Sequence, residues 1–161
     1  LKKNLLRKLS SLYGSQFIIV SIDVQKNTKF RSGYQIVTNN GSKPQDIDLL
    51  EWIQFVEKQG AGELLVNSIH NDGNRKGYDL DLLRIITSKT SLPVIAMGGV
   101  NKWSHLKDGI SKGKVQSVAA GNIFHYSEHS TKDAKDYLIK HGMKMRPSEF
   151  NKIDSRRKIK Y

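Results

Sequence analysis

The sequence predicts an α/β protein built on a parallel sheet, and three observations carry that expectation. Short runs rich in apolar and β-branched residues recur at 17–23 (FIIVSID), 63–67 (ELLVN), 93–96 (PVIA) and 115–120 (VQSVAA). Most are continuous rather than alternating, the pattern of strands buried on both faces. Between them lie longer stretches whose apolar positions repeat with helical spacing, so that strand and helix alternate as βα units do.

Taken in order, Leu1, Leu5, Leu6, Leu9 and Leu12 form a helical stripe that stops at Gly14, a residue suited to ending a helix. The first strand, 17–23, follows. Residues 34–38 (YQIVT), closed by Asn39-Asn40-Gly41, read as a strand and turn decorating the loop after it. From Asp46 to Gln59, Leu49, Leu50, Trp52, Ile53, Phe55 and Val56 keep helical spacing, with acids in the first turn and Lys58 in the last, as the helix dipole favours. Gly60 ends that helix. The unit then repeats: strand 63–67, a loop from His70 to Gly77 and helix 79–90; strand 93–96, a Gly98-Gly99 turn and helix 103–112; strand 115–120, a Gly121-Asn122 turn and helix 131–140. Four strand–helix units fit either a small open sheet or half of a (β/α)8 barrel, whose usual length is roughly 250 residues.

Composition narrows the classes. With 161 residues and 37% hydrophobic content, the chain suits one ordinary domain or part of a larger one. It has no cysteine, so disulfides and thiolate metal sites are impossible, and nothing suggests an oxidising compartment. Apolar runs such as Phe17 to Val20 are far too short to span a bilayer, and the first residues lack a signal peptide's apolar core. A cytoplasmic protein is expected, beginning partway through a longer chain because Leu1 is not an initiator Met. The net charge of +12 invites a nucleic-acid reading, yet residues 1–8 and 142–161 carry +9 of it. The rest is nearly balanced, like the surface of a metabolic enzyme. Binding of nucleic acid through the basic ends therefore ranks last among the alternatives, and no stacking motif of interleaved aromatics and bases supports it.

Parallel α/β proteins bind ligands at the carboxyl ends of their strands. Asp23 closes the first strand as a lone carboxylate after mostly apolar residues, a partly desolvated position that suits general acid/base work; the alternative is an Asp capping the next loop. In the second loop, Asp72 would accept from a sugar hydroxyl or transfer a proton while Gly73 lets the backbone approach a ligand, or the two form an ordinary Asx turn. Gly98-Gly99 and Gly121-Asn122, at consecutive strand ends, together point to a phosphate site formed by backbone N–H groups. Gly60-Ala61-Gly62 lacks the third glycine of a dinucleotide fingerprint. His125 and His129 stand four apart without a recognised metal motif, so no metal is expected, and no Ser-His-Asp order or nucleophile elbow appears.

The segments YGSQFIIVSIDVQKN, GAGELLVNSIHNDGNRKGYDLDLLR, PVIAMGGV, AAGNIFHYSE and DYLIKHGMKMR, in unbroken order over about residues 5–146, resemble the cyclase subunit of imidazole glycerol phosphate synthase. The resemblance implies a (β/α)8 TIM barrel of which residues 1–146 are the C-terminal half, strands five to eight, followed by a basic tail at 147–161. It implies a glutaminase subunit that supplies ammonia through the barrel, a phosphorylated ribulosyl aminoimidazole carboxamide substrate, and no metal or organic cofactor. By the same resemblance Asp23 is one of two catalytic aspartates. Asp72 and Gly73 belong to the substrate loop, and Gly98, Gly99, Gly121 and Asn122 to a phosphate site. Gln16 and Glu63 lie by the ammonia entrance. Gln25, Asn67, His70, Met97 and Asn122 depart from the family's usual lysine, threonine, aspartate and serines. Several of these are similar to a paralogous branch of bacterial surface-polysaccharide pathways, which implies amidino-sugar synthesis as the alternative.

Overall fold

The computed structural model describes residues 4–125 and 130–147. The expected tail lies outside them except for its first residue, as does His129. Strands β1 (Ile19–Lys26), β2 (Tyr34–Thr38), β3 (Lys43–Asp48), β4 (Glu63–Ser68), β5 (Val94–Met97) and β6 (Ser117–Val118) pair into one sheet. Its order is β3-β2-β1-β4-β5-β6. Helices α1 (Leu5–Tyr13), α2 (Leu49–Lys58), α3 (Leu80–Thr87), α4 (Trp103–Ser111) and α5 (Ser130–Lys140) alternate with the strands. No helix among the described residues is long and apolar enough to cross a membrane.

The four expected strands β1, β4, β5 and β6 are mutually parallel, in register from Ile19↔Glu63 to Val24↔Ser68, from Leu64↔Val94 to Asn67↔Met97, and at Ile95↔Ser117. Because consecutive parallel strands are also neighbours, right-handed crossovers place all their helices on one face. The burial pattern agrees. Ile22, Val24, Leu64, Val66, Val94 and Ala96 are buried against Ile53 and Val56 of α2, Leu82 and Ile86 of α3, and Leu106 of α4. The opposite face carries Ser21, Asp23, Glu63, Leu65, Asn67, Ile95 and Met97, all half-buried or exposed.

Several boundaries differ from the sequence expectation. Residues 43–48 (KPQDID) form the edge strand β3, so Asp46 belongs to a strand and α2 starts at Leu49. Asp48 caps that helix, accepting from the Leu50 amide at 2.8 Å. Asp79 likewise caps α3, accepting from Leu82 at 3.1 Å. The strand expected at 115–120 shrinks to Ser117–Val118, where β5 is its one neighbour in the sheet among the described residues. Gly14 ends α1 as expected, with φ +86 and its N–H donating to Ser10 O at 2.9 Å.

Two carboxylates are held below their ordinary pKa values, from which an acid-sensitive fold is expected. Burial pushes the Asp48 carboxyl up, but hydrogen bonds from Ser32 N at 2.9 Å and Leu50 N at 2.8 Å outweigh it and hold the group below its ordinary 3.8. Glu57 accepts from Ser91 Oγ at 2.5 Å and from Thr90 Oγ1 at 2.9 Å, which against some desolvation holds it below 4.5. A carboxyl depressed in the folded state contributes stability that is full above its unfolded value and is lost as pH falls through the folded one. Urea unfolding followed from about pH 6 down to about pH 3 is thus expected to show stability falling below these ordinary values, with a shallower fall in Asp48→Asn and Glu57→Gln.

Candidate functional site

The site grows from the carboxyl ends of the parallel strands. Asp23 stands on the helix-free face opposite Asn67 in the β1–β4 register. Asn67 Nδ2 donates to Asp23 Oδ1 at 3.1 Å, and no other hydrogen bond to the Asp23 side chain occurs among the described residues. One carboxylate oxygen is therefore fixed, and Oδ2 has no donor among the described residues. Asp23 is not the last residue of its strand, because β1 continues to Lys26 against the antiparallel β2. It does lie next to last in the parallel register, one pair before Val24↔Ser68.

From Asn67 the site continues sideways. Met97 is its partner on β5, and Gly98 follows with φ +96. A Cβ on Gly98 would stand 2.7 Å from Asn67 Oδ1, an atom buried without a hydrogen-bond partner, and 3.5 Å from Asp72 Cβ. Asp23, Asn67, Gly98 and Asp72 thus run as one line from the centre of the sheet to the loop after β4.

That loop is tightly coiled. Asn71 N and Asp72 N donate to Ser68 O at 3.1 and 2.9 Å, Asn71 Nδ2 to Gly77 O at 2.9 Å, and Gly77 N to Gly99 O at 2.8 Å. The loop backbone therefore lies directly on the turn after β5. Asp72, Gly73, Gly98, Gly99, Gly121 and Asn122, all singled out from the sequence, line one cavity of about 380 Å³ together with Arg75. Asn122 opens a single 3-10 turn, Asn122–His125, rather than a long helix. A second cavity of about 340 Å³ adjoins the first, sharing Arg75, Val100 and Asn122 and adding Lys102 and Trp103.

Gln16 and Glu63 lie at the other end of the sheet. Gln16 is exposed in the 3-10 turn Ser15–Phe17 before β1. Glu63 opens β4 on the helix-free face, on which Leu65 and Asn67 follow. Four residue steps along the strand separate Glu63 from Asn67, about 13 Å at the usual rise.

Sequence reasoning missed Arg75 and Lys102 as lining residues and the hydrogen bond that Asn67 gives Asp23. It also missed the brace beneath the loop. Tyr34 donates its hydroxyl to Asp79 Oδ1 at 3.2 Å, and Lys26 Nζ lies 3.7 Å from Asp79 Oδ2. Burial first, and then the Asp79 charge, push the Tyr34 pKa up, so the phenol stays a donor and ties β2 to the start of α3. No group of three or more His, Asp or Glu side chains among the described residues is placed to hold a metal ion.

The profile of the family described as "Histidine biosynthesis protein" matches residues 1–130. The chain belongs to the histidine biosynthesis protein family. Members of this family are (β/α)8 barrels, and the sequential parallel strands seen here have the order that such a barrel requires. Within the family the chain is similar to imidazole glycerol phosphate synthase subunit HisF of Solidesulfovibrio magneticus, 41% identical over 140 residues, which covers 85% of this chain and 54% of that protein. The subunit HisF of Pelodictyon phaeoclathratiforme is 39% identical over 142 residues, covering 88% of this chain and 55% of that one. HisF of Chlorobium limicola is 38% identical over the same number of residues and the same shares. The chain spans about half the length of the curated relatives it matches.

Proposed function

We propose that this chain is the C-terminal half, strands five to eight, of an ammonia-dependent cyclase barrel of the HisF type. In this reading ammonia from a glutaminase subunit reacts with a phosphoribulosyl aminoimidazole carboxamide nucleotide. Imidazole glycerol phosphate and an aminoimidazole carboxamide ribotide are formed in the cytoplasm without a cofactor. The observation that carries it is Asp23, held by Asn67 near the end of the parallel β1–β4 pairing and joined through Gly98 to a glycine-lined cavity.

The barrel half is supported by what the sheet leaves uncovered. β2 pairs with β1 only from Asp23 to Lys26, so on that side the Ile19–Ile22 stretch has no partner strand among the described residues. Beside this edge lies an apolar groove of about 830 Å³, lined by residues including Leu5, Leu9, Ile19, Val20, Ile36 and Phe55. Ile19 is 54% exposed. A further strand on this edge, continuing round to β6, would close the helix-free face into a barrel interior. That interior would run from Glu63, past Leu65, to Asn67 and Asp23, the path expected for ammonia entering by Gln16 and Glu63.

In the mechanism, Asp23 acts as general acid/base. With Oδ1 fixed by Asn67, Oδ2 is left to take and return protons as ammonia adds and the imidazole ring closes. The amides of the Gly98-Gly99 and Gly121-Asn122 turns would hold one substrate phosphate, and Asp72 would accept from a hydroxyl of the attached chain. A second aspartate on the barrel's first strand completes the acid/base pair.

The complete protein, given ammonium salt and the ribulosyl nucleotide, is expected to release imidazole glycerol phosphate. A second reading, amidino-sugar synthesis in the surface-polysaccharide branch, is favoured by one observation: Asn67, Met97 and Asn122, three of the departures from the usual pattern, all sit at the site. A complete protein that binds the nucleotide and forms no imidazole product would overturn the first reading in favour of the second.

A further inference from the structure

We propose that Arg75 selects a dianionic phosphate monoester and sets its orientation, holding the phosphoryl group at the Arg75–Asn122 end of the glycine-lined cavity with the hydroxyls directed toward Asp72. The inference rests on the reading of that cavity as a phosphate cradle and deepens it.

Four observations converge on this side chain. Arg75 lines both adjoining cavities and so stands at the seam between them. Its guanidinium makes no ion pair and no hydrogen bond with any described residue; the ion-paired cations are Lys26, Arg84, Lys112 and Lys132. Five N–H donors in a planar fork are thus left for a ligand.

Its backbone is the third observation. Arg75 has φ +57, in the left-handed region that a side chain with a Cβ seldom adopts. The same loop uses glycine at its other left-handed positions, Gly73 with φ +74 and Gly77 with φ +89. Glycine would be the less strained choice at 75 as well. A long cationic side chain at a left-handed position on a cavity seam supports a role for it there, in combination with its free donors.

The fourth is the placement of charge. Asp72 is the carboxylate of the glycine-lined cavity, and an anion beside it would be repelled. Arg75 and Lys102 both line the adjoining cavity, and Lys102 too has no ion pair among the described residues. The potential therefore rises from Asp72 toward Arg75 and Lys102. Backbone amides offer only partial charges, whereas two full cations add a strong preference for a dianion over the monoanion of a phosphodiester.

The test titrates inorganic phosphate, sulfate and dimethyl phosphate into the complete protein and into Arg75→Gly and Arg75→Lys, with binding followed by calorimetry and unfolding by thermal melts. Phosphate and sulfate are expected to bind at least about 10-fold more tightly than dimethyl phosphate, since each charged hydrogen bond is worth about that factor or more. Arg75→Gly should lose about 10- to 100-fold in phosphate affinity while its melting midpoint stays or rises, because glycine relieves the strained backbone. Arg75→Lys should fall between the two, keeping the charge and losing the fork. A merely structural arginine would give the reverse, a lowered midpoint with binding intact. If the unaltered protein binds no phosphate, the cradle reading fails and this inference with it. If it binds and Arg75→Gly binds equally well, or dimethyl phosphate binds as tightly as phosphate, the role of Arg75 is overturned and the cradle stands.

Discussion

Replacing Asp23 with Asn in the complete protein is expected to lower ammonia-dependent turnover by about 10²- to 10⁴-fold, the range that a positioned general acid/base contributes. The substitution is nearly isosteric. Asp23 is half-buried on the helix-free face, and the one hydrogen bond to its side chain among the described residues comes from the amide of Asn67. An Asn at 23 still offers a carbonyl oxygen to that amide, so the sheet and the cavity beyond Gly98 should be undisturbed. What disappears is the group able to take a proton at Oδ2. The loss should therefore fall in kcat, with inorganic phosphate binding and melting temperature close to those of the parent. Turnover within about threefold of the parent would remove Asp23 from the chemistry, since such a change is far below what loss of a general base costs. A loss of both phosphate binding and melting temperature would mean that Asp23 supports the fold instead.

The contrast between Asp23 and Arg75 shows what a sequence can and cannot reveal here. Asp23 is legible because a carboxylate ending an apolar, β-branched run is an anomaly along the chain. The glycines are legible because Gly98-Gly99 and Gly121 follow consecutive strands, and the cavity they line is where those strand ends meet. Arg75 sits in an exposed polar loop, NDGNRKG, in which any residue would look ordinary, and its left-handed backbone leaves no mark on composition or period. The pairing of Asn67 with Asp23 depends on the parallel register of β1 and β4, which periodicity does not specify.

The same logic explains the edges of the fold. The central strands β1, β4 and β5 are written as apolar runs because helices cover one face and the other is half-buried. β3 is an edge strand of alternating exposure that contains Pro44, a residue tolerated where no ladder hydrogen bond is needed. Its sequence, KPQDID, therefore carries no buried run, and the acids at 46 and 48 look like the first turn of a helix. Asp48 is in fact the cap that ends β3 and starts α2, so the misplaced boundary and the correct cap come from the same residue.

Gly99→Ala is expected to be the most damaging small substitution at the site. With φ +88, Gly99 holds a backbone conformation that alanine adopts only under strain. A Cβ there would also stand 2.8 Å from Asn71 O and press on the Gly77 carbonyl. Neither neighbour is a flexible side chain that can swing aside. Both belong to the loop that carries Asp72, Gly73 and Arg75, and Gly77 N is hydrogen-bonded to Gly99 O at 2.8 Å. Room for the methyl group must come from lifting that loop off the turn, which breaks the bond and opens the cavity. Destabilisation of about 2 kcal/mol or more in urea unfolding is expected, from backbone strain and the lost hydrogen bond together. Phosphate affinity should fall by at least about 10-fold, because the amides of the turn and the loop no longer face the same point. Gly121→Ala supplies the control. It lines the same cavity, its φ is not in the left-handed region, and beyond its chain neighbours no atom of the described residues lies within 4 Å of a Cβ placed there. It should unfold within about 0.5 kcal/mol of the parent, the usual range for a surface change. Equal stability in the two variants would mean that the loop after β4 does not rest on the turn after β5. The cavity between them, and the phosphate site proposed for it, would then lose their structural basis.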